Sequence, residues 1–292
     1  MCRLFGMSGG RERVRATFWL LEAPDSLAEQ SRRNPDGTGI GYYTDDGRPV
    51  VEKEPLPAYE DRTFSEAAHD LSSRTFVAHV RYASGTPVTL ENTHPFEQHG
   101  RLFAHNGVIT DLEALEAELG DAMSSVHGQT DSERYFALVT RDIERSGDVR
   151  EGIVSAVSWI AEHLPVFALN FVLIDSGELW ALRYPETHEL YVLERAAGGD
   201  SGGEPLEHSS ARRRIRVHSD DLAGSPSVVI ASEMMDDDPG WRLLDSGELL
   251  HVSPELEVET AKAIDRPPAH QLTLEQLEPQ AASSQSPLSS TR

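Results

Sequence analysis

The chain contains a single cysteine, Cys2, which directly follows the initiator methionine in the opening stretch MCRLFGMSGG. Removal of a methionine is favoured when the next residue is small, and here it would leave a free α-amine beside the thiol. An α-amine has an unperturbed pKa of about 7.7–8.0, so it can take and return a proton near neutral pH. Cys2 therefore offers a nucleophile and its base within one residue. The alternative is an incidental thiol at a frayed terminus, against which a strand predicted over 3–9 argues.

A pair of hydrogen-bond donors occurs at Asn106 and Gly107, in the stretch AHNGVITD. The tetrahedral intermediate of acyl transfer needs donors for its oxyanion. The side-chain amide of Asn106 and the backbone N–H of Gly107 are suitable donors. The pattern predicts a short strand over 101–107 that ends in a glycine turn, which would expose both groups. An ordinary Asn-Gly β-turn is the alternative interpretation.

Two residues of opposite charge fit the two ends of an amino-acid substrate. Arg81 lies in the alternating stretch TFVAHVRY, on the same strand face as His79, and a guanidinium can bind a carboxylate through two parallel hydrogen bonds. Asp131 lies at the predicted start of a helix in GQTDSERYF, where its carboxylate suits an ammonium group. The simpler interpretations are a surface arginine on a strand and a helix-capping aspartate.

The composition excludes several classes of protein. Lys and Arg total 26 against 49 Asp and Glu, and the net charge of −23 repels nucleic-acid phosphates and anionic lipids. No apolar run approaches the roughly 20 residues of a membrane span, and a signal-peptide core is absent from the sequence. One cysteine excludes an internal disulfide and a cysteine-based zinc cluster, and the 12 histidines show no metal-ligand spacing. We therefore expect a cytoplasmic protein with no metal, nucleic-acid or membrane site.

Short strands and amphipathic helices alternate along most of the chain. Because strands outnumber helices and hairpins recur, the pattern indicates an α+β fold with largely antiparallel sheets. The helix predicted over 110–120 has a capping-box sequence, with Thr110 as N-cap and Glu113 three residues later. The predicted strands cover 3–9, 37–44, 48–54, 75–82, 101–107, 167–175, 177–184, 188–194, 226–232 and 247–258, and the predicted helices 13–23, 110–120, 131–147 and 149–164.

The sequence predicts one domain over residues 2–258. A Gly- and Ser-rich stretch near 196–214 indicates a mobile insert between two strands. Residues 259–292 are expected to form a mostly disordered tail, because the composition from Pro267 onward is polar and rich in Ser, Gln and Pro.

Taken in order, these segments resemble class II glutamine amidotransferase domains, which are N-terminal nucleophile hydrolases. The resemblance rests on Met-Cys-Arg at the start, RRNPDGTG, AHVRYASG, ENTHPF, FAHNGVITD and TDSE. It runs from residue 2 to about 194, and more loosely to about 258. The chain is most similar to stand-alone domains that begin Met-Cys and carry ENTHPF before AHNG, including γ-glutamyl amide hydrolases. The RRNPDGTG segment resembles the family's R-G-x-D-S-A-G loop, which Arg33 and Asp36 match and from which Asn34 and Gly37 depart.

The resemblance implies a fold and a site. The implied fold is a four-layer αββα sandwich of two antiparallel sheets with helices outside. Cys2 is then the nucleophile, with its freed amine as base, and Asn106 with Gly107 forms the oxyanion hole. Arg81 would hold the α-carboxylate of the substrate, and Asp131 its α-ammonium. The family requires no metal or organic cofactor in this domain.

The implied function is hydrolysis of a γ-glutamyl amide through a thioester on Cys2, with release of ammonia or an amine. Free glutamine is the default substrate, and the alternative is a γ-glutamyl peptide or a γ-glutamyl intermediate of thiol metabolism. Because no ammonia-consuming domain is expected after the core, either a separate protein receives the ammonia or water is the final acceptor. A hypothesis of a different class is a catalytically idle domain that binds a ligand or partner.

Overall fold

Two seven-stranded β-sheets form the centre of the protein in the computed structural model, which describes residues 2–196, 206–209, 216–219 and 225–286. The strands are β1 (Arg3–Ser8), β2 (Thr38–Tyr43), β3 (Pro49–Glu54), β4 (Thr75–Val80), β5 (Phe96–Gln98), β6 (Arg101–Ile109), β7 (Pro165–Asp175), β8 (Glu178–Arg183), β9 (Tyr191–Arg195), β10 (Leu206–Ser209), β11 (Arg216–Ser219), β12 (Ser227–Ala231), β13 (Arg242–Leu243), β14 (Glu248–Val252), β15 (Val258–Lys262) and β16 (His270–Gln271). The helices are α1 (Leu27–Gln30), α2 (Arg62–Asp70), α3 (Leu112–Leu119), α4 (Asp131–Ser146), α5 (Val149–His163) and α6 (Pro279–Gln285), with a π-helical turn over Phe18–Glu22 and 3₁₀ turns over Gly120–Ser125 and Leu274–Gln276.

The first sheet has the strand order β13-β9-β12-β1-β4-β2-β3, and the second has the order β15-β14-β8-β7-β6-β5. The pairs along both orders are antiparallel, and β16 adds a short parallel pairing to β7. Strand β1 lies between β4 and β12 in the middle of the first sheet. The segment that carries Cys2 is therefore fixed on both sides, as the strand predicted over 3–9 required.

The apolar side chains fall into three large clusters that define four layers. Along β4, Phe76, Ala78 and Val80 pack against the helices that cover the first sheet, whereas Val77 points between the two sheets. On the second sheet, the alternate residues of β6 and β7 pack either between the sheets or against α3, α4 and α5. The period-two alternation of the strands thus produces the α+β, four-layer αββα sandwich that the resemblance implied.

Strand β6 does not end in a turn at Gly107, so that prediction was wrong. Asn106 pairs with Asn170 of β7, Gly107 pairs with Leu169, and the strand continues to Ile109. A Cβ atom at position 107 would lie 1.8 Å from the carbonyl oxygen of Ala168. The glycine is therefore required by the close approach of a neighbouring backbone, not by a turn.

The capping box expected at Thr110 is also absent. Helix α3 begins after Asp111, which has a left-handed backbone (φ 58°) and makes no side-chain capping bond. The Thr110 N–H donates to the carbonyl oxygen of Pro165 at 3.1 Å, which continues the contact between β6 and β7 past the end of the strand. The helix ends at Gly120 as predicted.

The expected disordered tail from residue 259 is corrected by the structure as far as it describes the chain. Residues 259–286 contain most of β15, then β16, a 3₁₀ turn and α6. Leu277 and Ala281 pack with Val108, Phe167 and Ala168 in a fourth, smaller apolar cluster. The composition of this segment is polar overall, so it did not reveal the few apolar residues that pack the segment on the second sheet.

The predicted insert near 196–214 lies largely outside the described residues. Within and just after it, β10 and β11 form a two-stranded antiparallel pair. In the described ranges, no helix is both long enough and apolar enough to cross a membrane.

Candidate active site

Cys2 is held by the backbone of the strand end opposite it. The Tyr82 N–H donates to Sγ at 3.1 Å, and the thiol donates to the Tyr82 carbonyl oxygen at 3.3 Å. The pairing of Arg3 with Val80 sets this register between β1 and β4. The residue is only 8% exposed, and burial raises the pKa of the thiol, while the Tyr82 N–H and the charge of Arg81 act in the opposite direction.

Arg81, expected as a surface residue in the simpler interpretation, is 3% exposed. Its guanidinium donates to Thr86 Oγ1 at 2.7 Å and to the Pro87 carbonyl oxygen at 3.2 Å. Burial lowers the pKa of Arg81, whereas the negative charges of Cys2, Asp36 and Asp131 raise it. Arg81 therefore lies within electrostatic range of both Cys2 and Asp131, and the structure brings these three predicted residues together.

The RRNPDGTG loop is hydrogen-bonded to the backbone of Arg81 and of Ala83. The Asp36 N–H donates to the Arg81 carbonyl oxygen at 3.0 Å, and the Asp36 carboxylate accepts from the Ala83 N–H at 2.9 Å. Arg33 instead pairs with Asp25, with Nη2 and Oδ1 2.8 Å apart. Asp36 was not among the predicted site residues, although its place in the loop motif was a signal that it mattered.

Asp131 is not the cap of α4. The N-cap is Thr130, whose hydroxyl oxygen accepts from the Glu133 N–H at 3.2 Å. The Asp131 carboxylate accepts from the Ile109 N–H at 2.8 Å, which ties the start of α4 to the end of β6. The Asp131 carboxylate therefore contacts β6 at a position two residues along the strand from Gly107.

Asn106 carries a buried amide that has no hydrogen-bond partner among the described residues. It is 1% exposed, and neither Nδ2 nor Oδ1 is satisfied. A buried unsatisfied amide costs free energy, so such a group is expected where a ligand supplies the missing bonds. Asn106 lies two residues from Ala104, which faces the space between the sheets, and so shares that face.

The backbone N–H of Gly107 points to an unpaired edge of the second sheet. Leu169, its register partner, donates its own N–H to Tyr184 on the β8 side. Gly107 therefore occupies a non-hydrogen-bonded position relative to β7, and its N–H points away from that strand. Strand β5 pairs with Arg101–Phe103, and no strand in the described ranges pairs with β6 on this side at Gly107.

Two buried imidazoles lie beside Arg81. The ring centroids of His79 and His94 are 4.2 Å apart, and none of their four ring nitrogens has a hydrogen-bond partner among the described residues. Burial lowers the pKa of His79 to about 3, and that of His94 well below its usual range. Both rings are therefore neutral at neutral pH. The alternating pattern predicted that His79 shares a strand face with Arg81, but it predicted no role for the histidine.

The family described as "Glutamine amidotransferases class-II" matches residues 1–276. The chain belongs to this family. It is 30% identical over 277 residues to the γ-glutamyl-hercynylcysteine sulfoxide hydrolase of Mycobacterium tuberculosis strain H37Rv, covering 91% of this chain and 98% of that protein. It is 26% identical over 245 residues to a probable glutamine amidotransferase, DUG3, of Saccharomyces cerevisiae, covering 68% of each chain.

The solved structures similar to this amidotransferase include the glutamine phosphoribosylpyrophosphate amidotransferase of Bacillus subtilis. The TM-score is 0.60 at 20% identity, over 91% of this chain and 50% of that one. At this identity the likeness shows the fold alone, that of the N-terminal nucleophile hydrolases. The chain is thus a class II amidotransferase-type enzyme with the expected fold, and glutamine or a γ-glutamyl compound is its class of substrate.

Proposed function

We propose that this enzyme hydrolyses γ-glutamyl amides through a covalent thioester on Cys2. The observation that carries the proposal is the placement of the only thiol against the Tyr82 backbone, within electrostatic range of Arg81, while Asn106 offers a buried amide without a partner. An unsatisfied donor on the face of the second sheet that looks toward β1 suits an oxyanion that exists only during the reaction.

The reaction begins after removal of Met1, when the α-amine of Cys2 takes the thiol proton and the thiolate attacks the γ-carbonyl carbon. The carbonyl oxygen becomes an oxyanion, which accepts hydrogen bonds from Asn106 Nδ2 and the Gly107 N–H. Collapse of the intermediate breaks the C–N bond, and the ammonium of Cys2 returns its proton to the departing amine. Water, deprotonated by the same amine, then attacks the thioester and releases glutamate and the free thiol.

Arg81 and Asp131 bind the glutamyl head in this proposal. The head carries a carboxylate and an ammonium on one carbon, and the two side chains carry the matching opposite charges within electrostatic range of each other. Thr86 and Pro87 accept hydrogen bonds from the Arg81 guanidinium and so fix its orientation. Asp131 is fixed in turn by the Ile109 N–H. The head is thereby oriented before the thiol attacks.

The substrate that we favour carries an amine larger than ammonia. The mycobacterial relative, aligned over nearly its whole length, is named as a hydrolase of a γ-glutamyl compound. The second candidate is hydrolysis of glutamine itself, with ammonia passed to a separate protein, and the yeast relative named as a probable glutamine amidotransferase favours it. Both reactions use the same thioester and differ in the group that leaves.

The test uses the mature protein and a glutamine-like diazoketone, 6-diazo-5-oxonorleucine, whose diazo-bearing carbon takes up a proton and alkylates a thiolate with loss of N2. Intact mass should lack methionine, and a single adduct should map to Cys2. Cys2→Ala should abolish both labelling and amide hydrolysis, and a folded form with an uncleaved N-terminal tag should be inactive. Hydrolysis by that tagged form, with the tag confirmed by mass, would contradict the mechanism.

A further inference from the structure

The C-terminal helix α6 covers the second sheet directly beside the candidate oxyanion residue. Val108 lies two residues beyond Asn106 on β6, and Ala168 lies two residues before Asn170 on β7, so each shares a strand face with its asparagine. Leu277 and Ala281 of the C-terminal segment pack on Val108 and Ala168. Val108, the next side chain after Asn106 on this face of β6, therefore packs against the C-terminal segment.

The same helix reaches the strand end that holds the thiol. The Tyr82 hydroxyl and Ser283 Oγ are 3.2 Å apart, and the backbone of Tyr82 is the group that contacts Cys2 Sγ. Helix α6 thus contacts the β6–β7 face next to Asn106 and also the side chain of Tyr82, the residue whose backbone contacts Cys2. None of the predicted site residues lies on this helix.

A cavity of about 820 Å³ opens between this C-terminal segment and the loop that precedes β9. In the tetrahedral intermediate the glutamyl chain points to Arg81 and Asp131, and the oxyanion points to Asn106. The amine must then leave toward a different wall. The cavity lies beside β7, next to the strand of Asn106, because Asn170 Nδ2 donates to the His188 carbonyl oxygen in the wall of the cavity at 3.3 Å.

His188 lines this cavity with a ring nitrogen that has no partner. The residue is 2% exposed, its Nε2 lies 2.6 Å from Gln285 Oε1 of α6, and its Nδ1 is unsatisfied among the described residues. An amide oxygen only accepts, so Nε2 carries the hydrogen and Nδ1 presents a lone pair. Burial lowers the pKa of His188 to about 4, which keeps the ring neutral at neutral pH. Nδ1 is therefore a buried acceptor to which the described residues donate no hydrogen bond.

The charges that line the cavity are mostly negative. Glu186, Glu189 and Glu275 contribute carboxylates, and Arg183 contributes the one cation among the lining residues. The guanidinium of Arg183 donates to the carbonyl oxygens of His188, Leu244 and Glu186 at 2.8, 2.8 and 3.1 Å. One donor on each of its nitrogens is committed to a backbone group, and its single charge is outnumbered by the three carboxylates, so the lining favours cations.

We propose that this cavity is the leaving-group subsite and that it accepts an amine bearing a second, positively charged amino group, with His188, Gln285 and Glu275 as specificity-determining residues. The proposal rests on the proposed function and names the substrate class for the same site. The N–H groups of such an amine bond to His188 Nδ1, and its ammonium lies among the carboxylates. The glutamyl head binds separately, to Arg81 and Asp131.

The test measures kcat/KM for glutamine and three γ-glutamyl amides of similar length, those of 1,4-diaminobutane, butylamine and 4-aminobutanoate. They share the head and differ in the charge at the far end. We expect the cationic amide to exceed the neutral one by about tenfold or more, and the anionic amide to be the poorest, because the carboxylates act together. A cationic-to-neutral ratio near one overturns the proposal.

Variants of the C-terminal segment show whether this segment is responsible for the preference for the cationic amide. Glu275→Gln should lower the cationic-to-neutral ratio by about two- to fivefold, whereas Glu278→Gln, an exposed acid at the cap of α6 outside the cavity lining, should leave it unchanged. Gln285→Ala should lower kcat/KM for the cationic amide relative to glutamine, and Gln280→Ala, on the exposed face of the same helix, should not. If each variant matches its control, the subsite assignment is wrong.

A readout without catalysis separates this inference from the proposed function. Free 1,4-diaminobutane should raise the melting temperature of the wild-type protein, and butylamine should not. The rise should shrink in Glu275→Gln but not in Glu278→Gln. If glutamine is hydrolysed and neither preference nor shift is found, the subsite is wrong and the mechanism stands. If no amide is hydrolysed, the proposed function is wrong, and the melting shift alone decides on the subsite.

Discussion

Asn106 and Asn170 face each other in the β6–β7 register, yet their amides are used in opposite ways. Asn170 accepts from the Tyr184 N–H at 2.9 Å and donates to the His188 carbonyl oxygen, so its amide supports the structure. The amide of Asn106 makes no such bond in the described part of the chain. This contrast between neighbouring residues of one type supports the catalytic role that we propose for Asn106.

Asn106→Ala should therefore lower kcat by about 10²–10³ with a smaller change in KM, as expected for loss of one oxyanion donor. Its melting temperature should stay near the wild-type value, because no internal hydrogen bond is lost. Asn170→Ala is the matched control and should lower stability by about 1–3 kcal/mol, since it leaves buried backbone groups unpaired. Steady-state kinetics and urea denaturation of both variants measure this. An Asn106→Ala variant with near-normal kcat would remove the residue from the mechanism.

Arg81→Gln and Asp131→Asn should each lower kcat/KM by about ten- to hundredfold for every γ-glutamyl substrate, because each removes one charge-assisted partner of the shared head. The order of preference among substrates should not change. Arg32→Gln, an exposed arginine paired with Glu29, serves as control and should have little effect. A reordered preference after either substitution would mean that the residue contacts the leaving group.

The buried histidines should make the fold sensitive to acid. Burial places the pKa of His79 in the folded state at about 3, below its unfolded value of about 6.5. The unfolded chain therefore binds the extra proton first, and stability is lost as pH falls from about 6.5 toward 3. At pH 5 the loss relative to pH 7 is about 2 kcal/mol for His79, and His94, whose pKa burial also lowers, acts in the same direction.

Urea denaturation of the wild type, His79→Gln and Gln280→Ala at pH 7 and pH 5 checks this. His79→Gln should weaken the dependence of unfolding free energy on pH. Gln280→Ala is the control, since it changes an exposed residue without a titratable group, and should leave the dependence unchanged. If the wild type is equally stable at both pH values, the folded histidines are not held neutral.

At the scale of secondary-structure elements, the sequence predicted the strands and helices that are specified by short, local sequence patterns. The hairpin of β2 and β3 follows from alternating residues around a DDG turn, and α4 and α5 follow from their apolar spacing. The errors arose where a contact with a residue far away in the sequence determines the local structure. Gly107 belongs to a strand because β7 lies against it, and the Thr110 N–H still bonds to Pro165 beside β7, so the helix begins one residue later than predicted. The helix expected over 13–23 is reduced to the π-helical turn at Phe18–Glu22.

The candidate site divides in the same way. Cys2, Arg81 and Asp131 were predicted because motif order specifies residue types, and the structure brings them together. The positions of Tyr82, His188 and the C-terminal helix were not predicted. They depend on contacts such as Tyr82 with Ser283, which join residues far apart in the sequence and leave no local pattern.

The C-terminal segment should contribute measurably to stability. Leu277→Ala removes apolar contacts with the small cluster on β6 and β7, and should cost about 2 kcal/mol of unfolding free energy, the low end for a buried leucine because the cluster is small. Leu243→Ala is the control, since Leu243 is 39% exposed, and should change stability by less than about 0.5 kcal/mol. Equal urea midpoints for both variants would mean that the segment is not packed on the sheet in solution.

At the scale of the whole molecule, the net charge of −23 implies repulsion that the fold must overcome. Raising NaCl from about 10 mM to 200 mM shortens the screening length from roughly 30 Å to less than 10 Å. The melting temperature should therefore rise over this range. Repeating the titration with KCl is the control, because screening depends on ionic strength and not on the cation. A fall in melting temperature with salt would mean that attractive ion pairs dominate.

The central position of β1 has a consequence for timing. Phe5 pairs with Ala78 on one side and with Ala231 on the other, so the first strand to leave the ribosome is among the last to be enclosed. Until residue 231 has been made, one edge of β1 has no partner and the terminus stays open to an aminopeptidase. In the finished fold Cys2 and Arg3 are buried. For the proposed nucleophile, we therefore expect the methionine to be removed during translation, before β1 is enclosed.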